Sequence, residues 1–422
     1  MSGQQALIDD SVQESWSNIT PALELRCILV IALISFVNVL DFMMVMPLGP
    51  DFAKALNIPV HNLGFVVGSY TFAAAMSGLG AALFIDRFSR KKALLFCLAG
   101  LLVATAIAAI SWDMFSMMAA RVLAGCFGGP LTSLSLAMVA DYVPPPRRGR
   151  AMARLQIGFI VASIVGLPFG LEISSRFGWY APFLVLAALM MVIWWMALKF
   201  LPPSVNITRR ENFTVAVQSL IRCFSSKIAL GALLYTGIGL IAAFLIIPNV
   251  AAHIQMNWGY ERSNLGILYF AGGCISFFGS QLVGRVIDHM AYSSWVVMIV
   301  AIILCIDLLA GFVFYPNSIP VVVIFMGFVV ANSGRYLCLQ ALSSKIPSPD
   351  QRGGFMSGLS AVNHMASALG AFIASHMLQE GDGKLIGMNK VAYLSMMGTI
   401  LVPLIFYWTE KNLKRRTCAS IR

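Results

Sequence analysis

The sequence is short of charge. Only 11% of its 422 residues are Asp, Glu, Lys or Arg, and 59% are hydrophobic. Soluble domains carry about 25% charged and about 45–50% apolar residues, so an ordinary cytosolic enzyme is excluded. The eight cysteines include no Cys-x-x-Cys pair and lie mostly inside apolar runs. They read as small hydrophobes, not as disulfide partners or metal ligands. Histidine is equally sparse: His253 and His364 stand alone, without the additional ligands that a metal site requires. No Gly-x-x-x-x-Gly-Lys-Ser/Thr phosphate loop is present, which argues against ATP-driven chemistry within this chain. No metal and no other cofactor is expected. The polar stretch from Met1 to Glu24 lacks the basic start and short apolar core of a cleavable leader. The first apolar segment is therefore expected to stay as a membrane helix.

In place of these features the chain has long apolar runs. Stretches long enough to cross a bilayer, about 20 residues each, occupy 27–48, 63–85, 93–111, 114–140, 152–174, 179–200, 228–252, 263–287, 292–314, 318–343, 354–378 and 391–409. They are apolar all round and about twice the length of barrel strands, which makes this an all-α polytopic membrane protein with twelve transmembrane helices. The formal charge of +11 comes from basic residues lying between segments, not along one face, so nucleic acid is not an expected partner. Only Lys54, Arg176, Arg262, Lys384 and Lys390 fall in the odd-to-even loops, and Arg121 and Arg335 deep inside segments; the rest lie in the other loops, in the tails, or, as Arg154, Lys199 and Arg285 do, at the segment ends that adjoin those loops. Basic loops favour the cytoplasm. Both termini are thus placed there, with the chain a multi-pass protein of the cell membrane, the inner membrane in a Gram-negative bacterium.

The expected organisation is a cytoplasmic tail over 1–26, a six-helix bundle over 27–200, a linker over 201–227, a second bundle over 228–409 and a basic tail over 410–422. The sequon at Asn206 falls in that linker, on the side where glycosylation is not expected. The halves echo one another in "PPPRRGRAM" and "SPDQRGGFM", in Asp86 and Asp288, and loosely in Arg121 and Arg335. Two pseudo-symmetric bundles around a cavity suggest alternating access at their interface, although a duplication that serves packing alone would leave the same trace.

Ionisable residues inside such segments are costly and need a partner or a polar cavity. Asp41 lies about four turns into the first segment, with Asn38 three residues earlier on the same face. Burial favours a neutral carboxyl and an adjacent guanidinium an ionised one. That opposition lets a carboxyl exchange protons as a cavity opens alternately to two aqueous phases. Coupling to protons, a fixed polar contact and recognition of a cationic solute are all open for Asp41. Arg121 is either a cavity-facing partner in that coupling or a structural tie. Asp307 and Arg335 are candidates for a second polar cluster, and Asn363 with His364 either lines the cavity or makes helix contacts. Glu172 and Arg176, four residues apart, pair at the interface or serve substrate access. "GCFGGP" at 125–130 and "GLPFG" at 166–170 place Gly125, Gly166, Pro168 and Gly170 where helices approach closely or bend.

Together these residues resemble the major facilitator superfamily, specifically its twelve-helix drug:proton antiporter and sugar-efflux-like branch, over essentially 27–409. "ALFIDRFSRKKA" at 82–93 is similar to the family's Gly-x-Leu-x-Asp-Arg-x-Gly-Arg-Arg loop, with Ala82 and Ser89 in place of its glycines and Asp86, Arg87, Arg90 and Lys91 retained. The resemblance implies a cytoplasmic gate in which the aspartate meets a helix end and the basic residues meet acids; Arg148 is grouped with it. Arg121 and Gly125 match the fourth-segment motif, whose arginine is associated with proton coupling. "GFIVASIVGLPFG" resembles the antiporter fifth-segment motif, although Leu167 separates Gly166 from Pro168. The implied function is proton-coupled efflux of a small organic or amphipathic solute, with protons and membrane lipids as the other partners and a monomer as the simplest state. An importer of a sugar, metabolite or siderophore, a lysolipid-like flippase and a nontransporting sensor are the alternatives.

Overall fold

The computed structural model describes residues 20–84, 89–143, 147–202, 226–289, 293–315, 319–343, 345–347 and 352–421. The expected linker, apart from its edges, and Asp86 and Arg87 lie outside them.

Helix α1 (Pro21–Ala55) begins at a full N-terminal signal. The Thr20 hydroxyl accepts the Leu23 N–H at 3.3 Å, Pro21 needs no amide partner, and Glu24 sits in the first turn. Its 35 residues span roughly 52 Å, well beyond the ~30 Å hydrocarbon layer. It ends where Asn57 takes a left-handed φ of 53°. Three helices complete the first run: α2 (Leu63–Phe84), α3 (Arg90–Ala109) and α4 (Met114–Tyr142), the last opened by a reciprocal Asp113–Ser116 capping box. The fifth segment is α5 (Arg148–Val161) and α6 (Leu167–Phe177) joined by a π turn over Ala162–Gly166. The wide turn falls immediately before Pro168, which lacks an amide, and so absorbs the break that "GLPFG" foreshadows. Gly178, at φ 94°, turns the chain into α7 (Ala181–Phe200).

The second half repeats the plan. α8 (Lys227–Ile246) is interrupted by a 3-10 turn over Ile247–Asn249, at Pro248, before α9 (Val250–Met256). Then come α10 (Leu265–His289), α11 (Ser294–Leu308) ending in a π turn over Leu309–Phe314, α12 (Val321–Ser343) and α13 (Arg352–Met377). A hairpin of β1 (Gln379–Gly381) and β2 (Lys384–Ile386) turns through Asp382 and Gly383, both at positive φ, before α14 (Met388–Ile421). Among the described residues eleven spans are long and apolar enough to cross a membrane on those grounds alone. The twelfth crossing is α13, whose Asn363, His364, serines and glycines lower its hydropathy and whose faces are largely covered by α2 and α8. The result is two pseudo-symmetric six-segment bundles.

Small residues let these helices meet. A Cβ on Gly125 of α4 would run into the Tyr70 carbonyl of α2 and come 2.9 Å from the Ala73 Cβ. Across the halves, Gly64 of α2 faces the Ala371 carbonyl and the Ser375 hydroxyl of α13, and Gly68 meets the Phe372 ring. A Cβ on Gly166 would come 2.7 Å from the Leu40 side chain and one on Gly170 3.3 Å from the Met44 sulfur, both on α1. Gly125→Leu is expected to cost about 1–3 kcal/mol by overpacking, read as a lower thermal unfolding midpoint of the detergent-solubilised protein. Gly78→Ala, at a position with open space around it, should leave the midpoint within a degree or two (~0.5 kcal/mol).

Candidate functional site

Asp41 and Arg121 meet in the interior of the first bundle, with 0% and 1% of their side chains exposed. Arg121 Nη2 is 3.0 Å from Asp41 Oδ2 and 3.3 Å from the Asp41 carbonyl, while Nη1 reaches Oδ1 at 3.3 Å. From α3, the Thr105 hydroxyl donates to Oδ1 at 2.7 Å, with the Leu101 carbonyl 2.9 Å away as its competing acceptor. The carboxylate thus has partners from two helices. The guanidinium lies over the Tyr70 ring, 4.7 Å from its centroid, a cation–π contact strengthened by exclusion of water. Its Nε has no partner among the described residues. Asn38, one turn before Asp41, ties α1 to α4 through Thr132 Oγ1 at 2.9 Å and the Gly128 carbonyl at 3.2 Å, leaving its own carbonyl oxygen unpaired.

The cluster also reaches the other half. Tyr70 stacks on Phe42 at 5.2 Å, and Phe42 stacks on Phe244 of α8 at 6.2 Å. A column of rings therefore runs from the buried ion pair to the opposite bundle. Tyr70, Thr105, Phe42 and Phe244 escape the sequence reading, because hydroxyls and aromatics are common in apolar helices for packing reasons alone.

Among the described residues the second half has no equivalent pair. Arg335, 3% exposed, donates to Thr399 Oγ1 at 3.1 Å and Asn332 Oδ1 at 2.8 Å, both neutral acceptors. Asp307 does not join it: its carboxyl lies against Gly327 of α12, where a Cβ would come 2.6 Å from Oδ1, and Oδ2 is buried without a partner among the described residues. Asn363 and His364 sit partly buried on α13, and the Asn363 side-chain oxygen is likewise unpaired. His253 is packed between Trp258 and Phe312, each 5.2 Å away.

At the end where α1 starts and α14 finishes, several polar contacts tie the first half to itself. Glu24 pairs with Arg147 at 3.1 Å, and Tyr142 donates to the Pro202 carbonyl at 2.9 Å. Lys91 meets the carbonyls of Leu198 and Leu201 at the end of α7, a helix end where the family resemblance suggests an acid. Arg90 opens α3 and Arg148 opens α5; the Arg148 side chain, like Asp86 and Arg87, falls outside the described residues.

The opposite end is where the halves are joined. Asp51 of α1 takes two hydrogen bonds from Arg262, which precedes α10: Nε to Oδ1 at 2.8 Å and Nη2 to Oδ2 at 2.5 Å. Ser174 donates to the same carboxylate at 2.8 Å, and Arg262 also reaches the Leu171 carbonyl at 3.2 Å. The hairpin adds Glu380, which accepts the Val60 N–H at 2.9 Å. Lys54, Gln255 and Glu380 line a crevice of about 700 Å³ beside this latch. The same closure holds Asn249 fully buried in the 3-10 turn against α1 and α2, with neither side-chain atom paired among the described residues. Asp51 and Arg262 had a sequence signal: they are rare charges at the end that carries few. Glu172 and Arg176 form an exposed pair at 2.6 Å nearby, without further partners that would extend it.

Removing one partner of a buried ion pair costs about 3–5 kcal/mol because it leaves an uncompensated charge. Arg121→Gln should lower stability by that order, and Asp41→Asn with Arg121→Gln should recover part of the loss, as read from unfolding midpoints in one detergent. Arg262→Gln should open the far end. Spin labels at positions 54 and 384 are expected to gain a longer-distance population in that variant, and an unchanged distance distribution would show that the ion pair does not hold the closure.

The model of the Major Facilitator Superfamily matches residues 31–375. The chain is 24% identical to the MFS-type transporter YtbD of Bacillus subtilis (strain 168) over 236 residues, 56% of this chain and 59% of that protein. It is 21% identical over 388 residues to a probable sugar efflux transporter of Helicobacter acinonychis (strain Sheeba), covering 92% and 95% of the two chains. A solved structure of a bacterial homolog of the human lysosomal transporter Spinster, inward-facing and unoccupied, superposes with a TM-score of 0.75 at 14% identity, over 94% of this chain and 98% of that one. With its family match, its two six-segment bundles and its interface joined at one end, the chain belongs to the major facilitator superfamily and is a secondary transporter working by alternating access, not an enzyme.

Proposed function

We propose that the protein is a proton-coupled exporter of a small organic, amphipathic solute, with Asp41 as the carboxyl that exchanges the proton. The observation that carries this reading is the buried Asp41–Arg121 pair with Thr105 and Tyr70 around it. A proton arriving on Asp41 removes the negative member of the pair and leaves the guanidinium without a counter-charge. In a medium of low polarity that arrangement is strongly disfavoured, so Arg121 must find other acceptors and its contact with Tyr70 changes. Tyr70 in turn stacks on Phe42, and Phe42 on Phe244. Protonation at one site is thereby felt at the interface between the halves, which is the requirement for exchanging a proton against a solute.

The latch between Asp51 and Arg262 holds the end away from the termini closed. In this reading the charge bias of the loops puts that end outward, and its closure leaves access from the cytoplasm, where an exporter collects its cargo and releases its proton. The sugar-efflux name of the Helicobacter relative favours export over uptake, while Leu167, set between Gly166 and Pro168, departs from the antiporter pattern of the fifth segment. Asn363 and His364, partly buried on α13, are the polar groups of the second half assigned to the solute in this reading, with Arg335 and Asn38 as buried groups that a change of state would have to uncover.

The test is reconstitution in liposomes with an internal pH probe, adding a panel of organic cations, sugars and lysolipids to wild type and Asp41→Asn. One class is expected to drive proton movement in the wild type and not in the variant, while solute–solute counterflow, which needs no net proton transfer, persists in both. Equal substrate-driven proton movement in the variant would overturn the role of Asp41.

A further inference from the structure

Lys227 is the first residue of α8 and stands exposed at the end that carries the termini. Along the next two turns Leu230 and Leu234 point outward, 41% and 48% exposed, with Gly231 between them. α14 passes alongside and presents Leu404, Ile405 and Trp408. Gly231 sets the depth of the space between the two helices. A Cβ there would lie 3.1 Å from the Trp408 ring and collide with the Thr409 hydroxyl. What remains is a slot of about 340 Å³ whose lining is apolar throughout except for Lys227 at its mouth.

The sequence of α14 adds mainly basic residues at this end. Beyond Trp408, α14 continues through Lys411, Lys414, Arg415 and Arg416, and Lys411 sits over the Tyr407 ring at 5.8 Å. The acid in this stretch, Glu410, is 4% exposed and turned inward, where its carboxylate accepts the N–H groups of Ser293 and Ser294 at 2.9 and 3.1 Å. It is already engaged by those two backbone donors. An apolar slot open on the outer face and capped by cations matches the two parts of a phospholipid with a net negative head. The apolar walls take an acyl chain, and Lys227 with the cations of α14 takes the phosphate. A zwitterionic lipid satisfies the walls equally well but brings its own cation to the mouth.

We propose that the α8–α14 slot binds one anionic phospholipid from the leaflet at the terminal end, chain between Leu230, Leu234 and Leu404, phosphate at Lys227. Both helices belong to the second half, and α8 leads directly to the 3-10 turn at Pro248 that touches α1 and α2. A lipid held there braces the helix that carries Phe244.

The experiment uses the full chain in a neutral detergent, titrated with phosphatidylglycerol or phosphatidylcholine carrying brominated acyl chains, with tryptophan fluorescence as the readout. Phosphatidylglycerol is expected to quench at lower concentration than phosphatidylcholine, and Trp408→Phe to remove that quenched component. Lys227→Gln, a change at an exposed position, should weaken the phosphatidylglycerol response about fivefold, the effect of one cation near a headgroup, and leave phosphatidylcholine unchanged. Gly231→Leu should abolish quenching by both lipids. Equal affinity for the two lipids in the wild type, or a phosphatidylglycerol preference undiminished in Lys227→Gln, would overturn the proposal. Competition by free glycerol phosphate at similar concentrations would also overturn it, because it would make the site one for a soluble anion.

Discussion

The constraint on which the rest of the molecule depends is the burial of a carboxylate and a guanidinium where water does not reach. Neither Asp41 nor Arg121 is tolerable there alone, and the protein meets the cost with geometry: two contacts between the side chains, a hydroxyl from a third helix, and a ring face under the cation. Holding that arrangement requires α1, α2, α3 and α4 to stand close together. The glycines of α4 allow it, since any side chain at Gly125 or Gly129 would push into the backbone of α2. The packing of the first bundle and its chemistry are therefore one problem with one solution.

The second bundle uses the same architecture without that solution. Arg335 is satisfied by neutral acceptors and Asp307 faces a glycine on another turn, so the two halves are symmetric in path and unequal in charge. Their union at the far end is also a balance of opposites. The Asp51–Arg262 pair favours closure, and closure buries the Asn249 amide without a hydrogen-bond partner among the described residues, an arrangement that costs about 1–3 kcal/mol where no water fills it. A transporter needs both of its end states within reach of thermal energy, and a closure that is partly self-opposed meets that need.

The sequence made the number and order of crossings legible because a bilayer leaves few uses for a 20-residue apolar run. It was less informative about where helices end. Hydropathy places the first segment at 27–48, yet α1 runs from Pro21 to Ala55, since Thr20 and Glu24 are good helix starters and poor membrane residues. The basic run after Trp408 reads as a tail and instead continues α14 to Ile421. Pro248 breaks α8 into a 3-10 turn inside a long apolar run, and the Asp382–Gly383 turn dipeptide makes a hairpin too short to register in hydropathy. Asp41 and Arg121 stood out because charge inside a segment demands explanation. That they touch could not be read, because 80 residues separate them and only the packing of α1 on α4 brings them together.

The far-end latch differs from the buried pair in what can act on it. Arg262 and Asp51 remain 25% and 19% exposed, so water and dissolved ions reach them. Parting them separates two opposite charges by a short distance near the surface and moves almost no net charge across the membrane. A transmembrane voltage acts on charge in proportion to the fraction of the field it crosses, about 2.3 kcal/mol per charge per 100 mV for a full crossing, and so has little purchase on this step. Dissolved salt has more, because it screens exposed ions over about 10 Å at 0.1 M. Parting of this pair thus responds to the ionic composition of the medium at that end more than to the membrane potential.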